Sequence, residues 1–192
     1  MNLSNTVNST LGCVRIRVPQ QYYCQPIFSR LISRYCLTIN IAAAYLEAHI
    51  NEDGWFDLEI QGSSQQVEAG LAYLKSLNIE IVQLNFKTIS LERMENIQLL
   101  CLNRIATAED LNAADGQSTR AKLQVCIPQN YRSSPVIAGL VSCYGLTVNI
   151  AGALLDDTTE KDGWFDLELW GNRQQIVSSW KYFKQLGLQI WL

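Results

Sequence analysis

Histidine is almost absent from this 192-residue chain: there is one, His49. A protein with a single imidazole has little to offer as a general base, a proton shuttle or a histidine-rich metal centre. The sequence also lacks a Gly-rich phosphate loop, a Gly-x-Ser-x-Gly elbow and a His-Glu-x-x-His pair, so no catalytic residue is assigned and the chain reads as non-enzymatic. Positive charge is not in excess. Fifteen Lys and Arg stand against 18 Asp and Glu, for a net charge of −3 and a pI near 5.2, which argues against nucleic acid as a partner. No apolar run approaches the roughly 20 residues of a membrane span, and residues 1–12 carry neither the basic start nor the apolar stretch of a signal peptide. The expected location is cytoplasmic, without membrane insertion. Six cysteines are present but no Cys-x-x-Cys pair, so reduced thiols and no metal or other cofactor are expected.

What the sequence does contain is an internal repeat. Asp53-Gly54-Trp55-Phe56-Asp57-Leu58-Glu59 recurs letter for letter as Asp162-Gly163-Trp164-Phe165-Asp166-Leu167-Glu168. Without a gap, the same offset of 109 residues pairs Val18-Pro19-Gln20 with Ile127-Pro128-Gln129 and Gln65-Gln66-Val67 with Gln174-Gln175-Ile176. Two copies at so long a period are two similar domains rather than a solenoid. The offset also tests function. No cysteine falls opposite another cysteine, and His49 falls opposite Thr158. A metal site or a catalytic histidine intrinsic to the module would recur, so these residues are read as structural or surface.

Within the first copy, Val14, Ile16 and Val18 alternate with Arg15 and Arg17, the period of a half-buried strand that Pro19 ends. From Pro26, apolar residues Ile27, Phe28, Leu31, Ile32 and Tyr35 recur at helical spacing. Leu37, Ile39 and Ile41 alternate with Thr38 and Asn40 in a second strand, continuing toward Leu46 before the Asp53-Gly54 turn. Phe56, Leu58 and Ile60 then share one face of a third strand that closes at Gly62. Ser63 or Ser64 caps a helix carrying Val67, Leu71 and Leu74, and Ile79 and Ile81 open a last strand. The order β-α-β-β-α-β predicts an α+β fold: two ferredoxin-like domains, each with a four-stranded antiparallel sheet covered by two helices. The boundaries expected are a polar tail at 1–12, domains at 13–84 and 122–192, and between them a partly helical linker at 85–121. That linker carries an apolar stripe through Leu91, Met94, Ile97, Leu100, Cys101 and Ile105.

The third strands hold the densest chemistry. Trp55, Asp57 and Glu59, with Trp164, Asp166 and Glu168, project from one sheet face, where Arg15 and Arg17 face the same way. Paired carboxylates can bind a cation or exchange protons, yet beside arginine and tryptophan they fit a contact surface better. More than half burial of these six, between modules or against a partner or second chain, is expected. The other unusual positions are Asn40 and Asn149, which sit between apolar residues in mid-strand, where asparagine is disfavoured.

Those asparagines carry a resemblance. Asn40-Ile41-Ala42 and Asn149-Ile150-Ala151, with the Pro-containing loop and helix before them and the acidic-Gly-x-Phe-x-Leu pattern after them, resemble the NIL domain, an ACT-like, ferredoxin-like module named for an Asn-Ile-Leu motif. Both copies depart from that motif by Ala in place of Leu. The domain is best known at the C-terminus of the ATPase subunit of bacterial methionine importers, where two copies pair and methionine binds near their interface to inhibit transport. The resemblance implies a free-standing regulatory sensor, an internal pseudo-dimer that binds an amino acid, methionine first, through Asn40, Ile41, Asn149 and Ile150. The alternative is an interaction module that has lost its ligand.

Overall fold

The computed structural model describes residues 9–47, 52–89, 118–156 and 161–192. In chain order these form β1 (Ser9–Val18), α1 (Ile27–Tyr35), β2 (Thr38–Leu46), β3 (Gly54–Gly62), α2 (Ser64–Ser76) and β4 (Glu80–Ile89), followed by β5 (Thr119–Ile127), α3 (Val136–Tyr144), β6 (Thr147–Leu155), β7 (Gly163–Gly171), α4 (Arg173–Gln185) and β8 (Gln189–Trp191). A short 3-10 turn follows each first strand, at Gln20–Tyr22 and Gln129–Tyr131. His49 and the apolar stripe of the linker lie outside the described residues.

Local chemistry accounts for most of these elements. In β1 the alternation holds as expected, with Val14, Ile16 and Val18 buried and Arg15 and Arg17 exposed. Ser63 is the cap of α2: its Oγ accepts from Gln66 N–H (3.3 Å) while Gln66 Oε1 accepts from Ser63 N–H (2.8 Å), a reciprocal capping box. Asn172 and Gln175 repeat it at α4. The first helix of each copy ends in a left-handed residue, Cys36 (φ 52°) and Gly145 (φ 62°), and the second helices are followed by Asn78 (φ 55°) and Gly187 (φ 70°). The chain path is therefore duplicated even where the residue type is not.

The strands extend past the expected boundaries. β1 begins at Ser9, inside what reads as a polar tail, and β4 runs to Ile89, because Ser9 pairs with Ile89 and each outer segment supplies the other's ladder bonds. That pairing is long-range and leaves no periodic trace in either segment. The sheets differ more from expectation. Instead of two separate four-stranded sheets there is one, ordered β4-β1-β3-β2-β6-β7-β5-β8. The seam is an antiparallel ladder of Ala44 with Leu155, Tyr45 with Leu154 and Leu46 with Ala153, so the C-terminal ends of the β2 and β6 edges close one another. The helices cover one face, and the buried residues of both copies form one continuous core.

A bulge in each seam strand makes this possible. The register shifts between Ile41 and Ala43 and between Ile150 and Gly152. Ile39 and Ile41 face the core before it, Ala44 and Leu46 after it, so the extra residue inverts the parity of the strand. The repeated Asp-Gly has its own reasons. An added Cβ on Gly54 or Gly163 would lie 2.6 Å from Leu46 or Leu155 respectively. Asp53 and Asp162 accept from Gln20 and Gln129 N–H (3.3 Å each), tying the turn to the loop after the first strand.

The expectation of wholly reduced cysteines is corrected at one position. Cys143 is disulfide-bonded, while Cys13, Cys24, Cys36 and Cys126 are free. Motif spacing detects local pairs only; a long-range disulfide depends on which cysteines the fold brings together.

Candidate functional site at the module seam

Only the C-terminal ends of β2 and β6 pair with each other. Their N-terminal halves diverge, and there each strand is flanked by the other module's first loop and first helix, α3 on β2 and α1 on β6. Asn40 and Asn149 stand in these halves, both buried. Asn40 Nδ2 donates to the Arg132 carbonyl (2.7 Å) and to Glu59 Oε2 (3.0 Å), and Asn149 Nδ2 donates to the Tyr23 carbonyl (2.8 Å). Tyr23 and Arg132 are themselves 109 positions apart, so the two amides form a reciprocal clasp across the seam. Each such buried bond contributes about 1 kcal/mol, and leaving its carbonyl unsatisfied costs about 1–3 kcal/mol.

Beside Asn40 lies a cavity of about 20 Å³, lined by Ile39, Asn40 and Ile41 of one module and by Tyr131, Arg132 and Ile137, among others, of the second. It has room for about one water. Ile41 thus borders the cavity, and Ile150 is packed in the core. Beside the second strand edge, Ser29 of α1 accepts from Val148 N–H (2.7 Å) and donates to the Val148 carbonyl (3.0 Å). Sequence reading did not single out Ser29. Its only signal is that a polar residue sits among the apolar positions of α1 while its repeat counterpart is Ala138.

The six residues of the third strands lie on the other face of the sheet. Because the modules join edge to edge, neither covers the other's face, which corrects the inter-domain part of that expectation. Trp55 and Trp164 are 40% and 37% exposed. Asp57 pairs with Arg15 (Nε to Oδ1, 2.6 Å), as the shared face suggested, whereas Arg17 reaches Asp53 instead (2.7 Å). Asp166 accepts from Gln124 (2.8 Å). Glu168 is buried and ion-paired to Arg120 (2.7 Å) and Lys122 (3.0 Å). Burial alone would raise its pKa, but the hydrogen bonds and charges of Lys122 and Arg120 outweigh burial and hold it below the usual carboxylate value. Glu59 lacks these cations, since Leu11 and Cys13 stand in their places, and takes the Asn40 amide instead. An open groove of about 580 Å³ crosses the seam on this face, lined by residues including Tyr45, Trp55, Asp57 and Leu154. Every carboxylate named here has a partner within the chain. Among the described residues no cluster of three or more potential metal ligands occurs.

The family model of the NIL domain matches twice, over residues 13–82 and 121–191. The chain belongs to the NIL domain family. The two NIL copies correspond to the two halves of the sheet, with Asn40 in the first and Asn149 in the second. An uncharacterized protein of Synechococcus elongatus is 38% identical over 68 residues, covering 35% of this chain and 84% of that protein. Another, of a Synechocystis strain, is 39% identical over 67 residues, covering 35% of this chain and 68% of that protein. Each match is about the length of a single NIL module. Among solved structures, the small subunit of acetolactate synthase from Thermotoga maritima overlaps 95% of this chain and 92% of its own at 11% identity and a TM-score of 0.26. A chlorite dismutase from Candidatus Nitrospira defluvii overlaps 95% of this chain and 84% of its own at 8% identity and a TM-score of 0.28. Overlaps that loose carry no weight for function.

Proposed function

We propose that this tandem NIL protein is a non-enzymatic regulatory sensor that binds an amino acid, methionine being the first candidate, at the seam of its internal pseudo-dimer. The observation that carries the reading is the position of the two NIL asparagines. Both are buried in the seam and bonded to backbone of the opposite module, so whatever displaces those bonds changes how the modules are held. A carboxamide donates and accepts at once, which suits a zwitterion. The cavity beside Asn40 takes about one water, so binding requires the Arg132–Pro135 loop to lift and the Asn40 bond to Arg132 to be exchanged for one to ligand. That exchange couples occupancy to the seam.

The test is a thermal-shift panel of amino acids. A ligand at about a hundred times its Kd stabilises the folded state by about 2.7 kcal/mol, a rise of roughly 5–11 °C for a chain of this size. Asn40→Ala with Asn149→Ala is expected to abolish the rise. An undiminished rise in the double variant removes these residues from the site.

A second reading rests on the open face. Trp55, Tyr45, Leu154, Trp164 and Trp191 are all at least a third exposed on the chain, which suits a protein partner or a second copy. No thermal shift with any amino acid, together with a concentration-dependent mass in solution, favours that reading over the first.

A further inference from the structure

We infer that the two halves of the seam are not equivalent: Ser29 is a built-in occupant of the edge at Val148, and the edge at Ile39, faced by Ala138, is the single ligand site in each chain. The inference rests on the seam-site reading above. In an antiparallel ladder both polar groups of one residue point to the same side. The bonds from Ser29 show that the Val148 N–H and carbonyl point outward from the sheet pair β6–β7, toward the opposite module. Ile39 occupies the same register, opposite Ile60 as Val148 is opposite Leu169, so its N–H and carbonyl also point outward. By the 109-residue offset Ala138 is the counterpart of Ser29, and it has no hydroxyl. The seam ladder does not reach Ile39, and none of the backbone–backbone bonds made outside the strands and helices of the described residues involves it. Ile39 is 3% exposed and Ala138 3%, so this is a buried donor and acceptor at a site where burial without partners costs about 1–3 kcal/mol for each group.

The chemistry that would pair with this edge follows. Ser29 answers Val148 with one atom that accepts and one hydrogen that donates, side by side. An α-amino acid presents the same pair from its main chain, a carboxylate to take the N–H and an ammonium to give to the carbonyl, as an added strand would. Asn40, adjacent and already aimed across the seam, lies within the same cavity wall. The Asn149 side lacks this opening because Ser29 already uses the edge.

Two single variants decide the matter, with amide exchange followed by NMR and L-methionine plus the other amino acids titrated calorimetrically. In the wild type the Val148 amide should exchange at least tenfold more slowly than the Ile39 amide. Ser29→Ala should remove the protection of Val148, and Ala138→Ser should confer it on Ile39. Equal protection of the two amides in the wild type overturns the asymmetry whether or not any amino acid binds. In the titrations the wild type should take one equivalent per chain, Ser29→Ala two, and Ala138→Ser none. Two equivalents in the wild type, or undiminished binding in Ala138→Ser, also overturns it. Should no amino acid bind any of the three while the exchange pattern holds, the seam is asymmetric as described and the amino-acid reading is what fails.

Discussion

Cys36 and Gly145 perform the same backbone task with different side chains. Both end a first helix in the left-handed region, where a Cβ costs roughly 1–2 kcal/mol and glycine little. Some of the gain from Cys36→Gly is returned through the freer unfolded chain. The variant is expected to be more stable by about 0.5–1 kcal/mol, a rise of about 1–4 °C in Tm, measured by thermal denaturation. Gly145→Ala should fall by a comparable or larger amount.

Glu168 is a second asymmetry between single residues. Its pKa is lowered on folding, so the stability it contributes is fully present above the unfolded value, about 4.3 for glutamate, and is lost as pH falls through the lower folded value. Arg120 and Lys122 are more than half exposed, so screening keeps the contribution modest. Glu168→Gln should cost about 1 kcal/mol at pH 7 in urea denaturation, with the difference shrinking below about pH 4. A loss that persists unchanged at pH 3 would assign the effect to packing rather than charge.

The second helices show what one element contributes and how much of it was readable beforehand. The sequence offers Ser63 or Ser64 as the cap; Ser63 takes it, in a box with Gln66, and Asn172 with Gln175 forms the same box in the second copy. Ser63→Ala or Asn172→Ala is expected to cost about 1 kcal/mol each, measured as a shift in urea midpoint at unchanged slope. Alternation likewise marked β1 and β3, because one face of each is core and the other is not. β2 was only half readable. Its first residues alternate in register with Asn40 outward, but the bulge at Ala42 reverses the pattern, and nothing in the residue types announces a skipped partner. The outer part of β4 and the start of β1 were missed for a related reason, since those two segments are strand by virtue of pairing with each other. At the candidate site the asparagines were visible as misfits in a strand. Ser29 was not, because its importance lies in a bond to a residue 119 positions away.

At the scale of the molecule, one sheet and one core replace two. The seam ladder, the asparagine clasp and the packing of α1 on α3 leave neither module a complete boundary of its own, and a module of this size is marginal alone. Unfolding is therefore expected to be a single transition. Trp55 is the only tryptophan of the first copy, so in Trp55→Phe fluorescence reports the second copy alone while far-UV circular dichroism reports both. The two melting curves should coincide; a fluorescence transition displaced from the dichroism transition by more than a few degrees would mean that the modules unfold separately.

The strand order also sets a minimum tether. β4 and β5 are six places apart in the sheet and run so that Ile89 and Thr119 leave and enter at opposite ends. Six spacings are about 29 Å across, and the staggered seam adds roughly another 50 Å along the strands, so the segment 90–118 must bridge more than 50 Å. A tether cut to about ten residues reaches only about 35 Å even when fully extended. Such a chain can still make every strand pair, provided that its first module takes its partner from another molecule. Shortening that segment is thus expected to turn a self-contained protein into an exchanged dimer of doubled mass by light scattering, with the same sheet built from two chains.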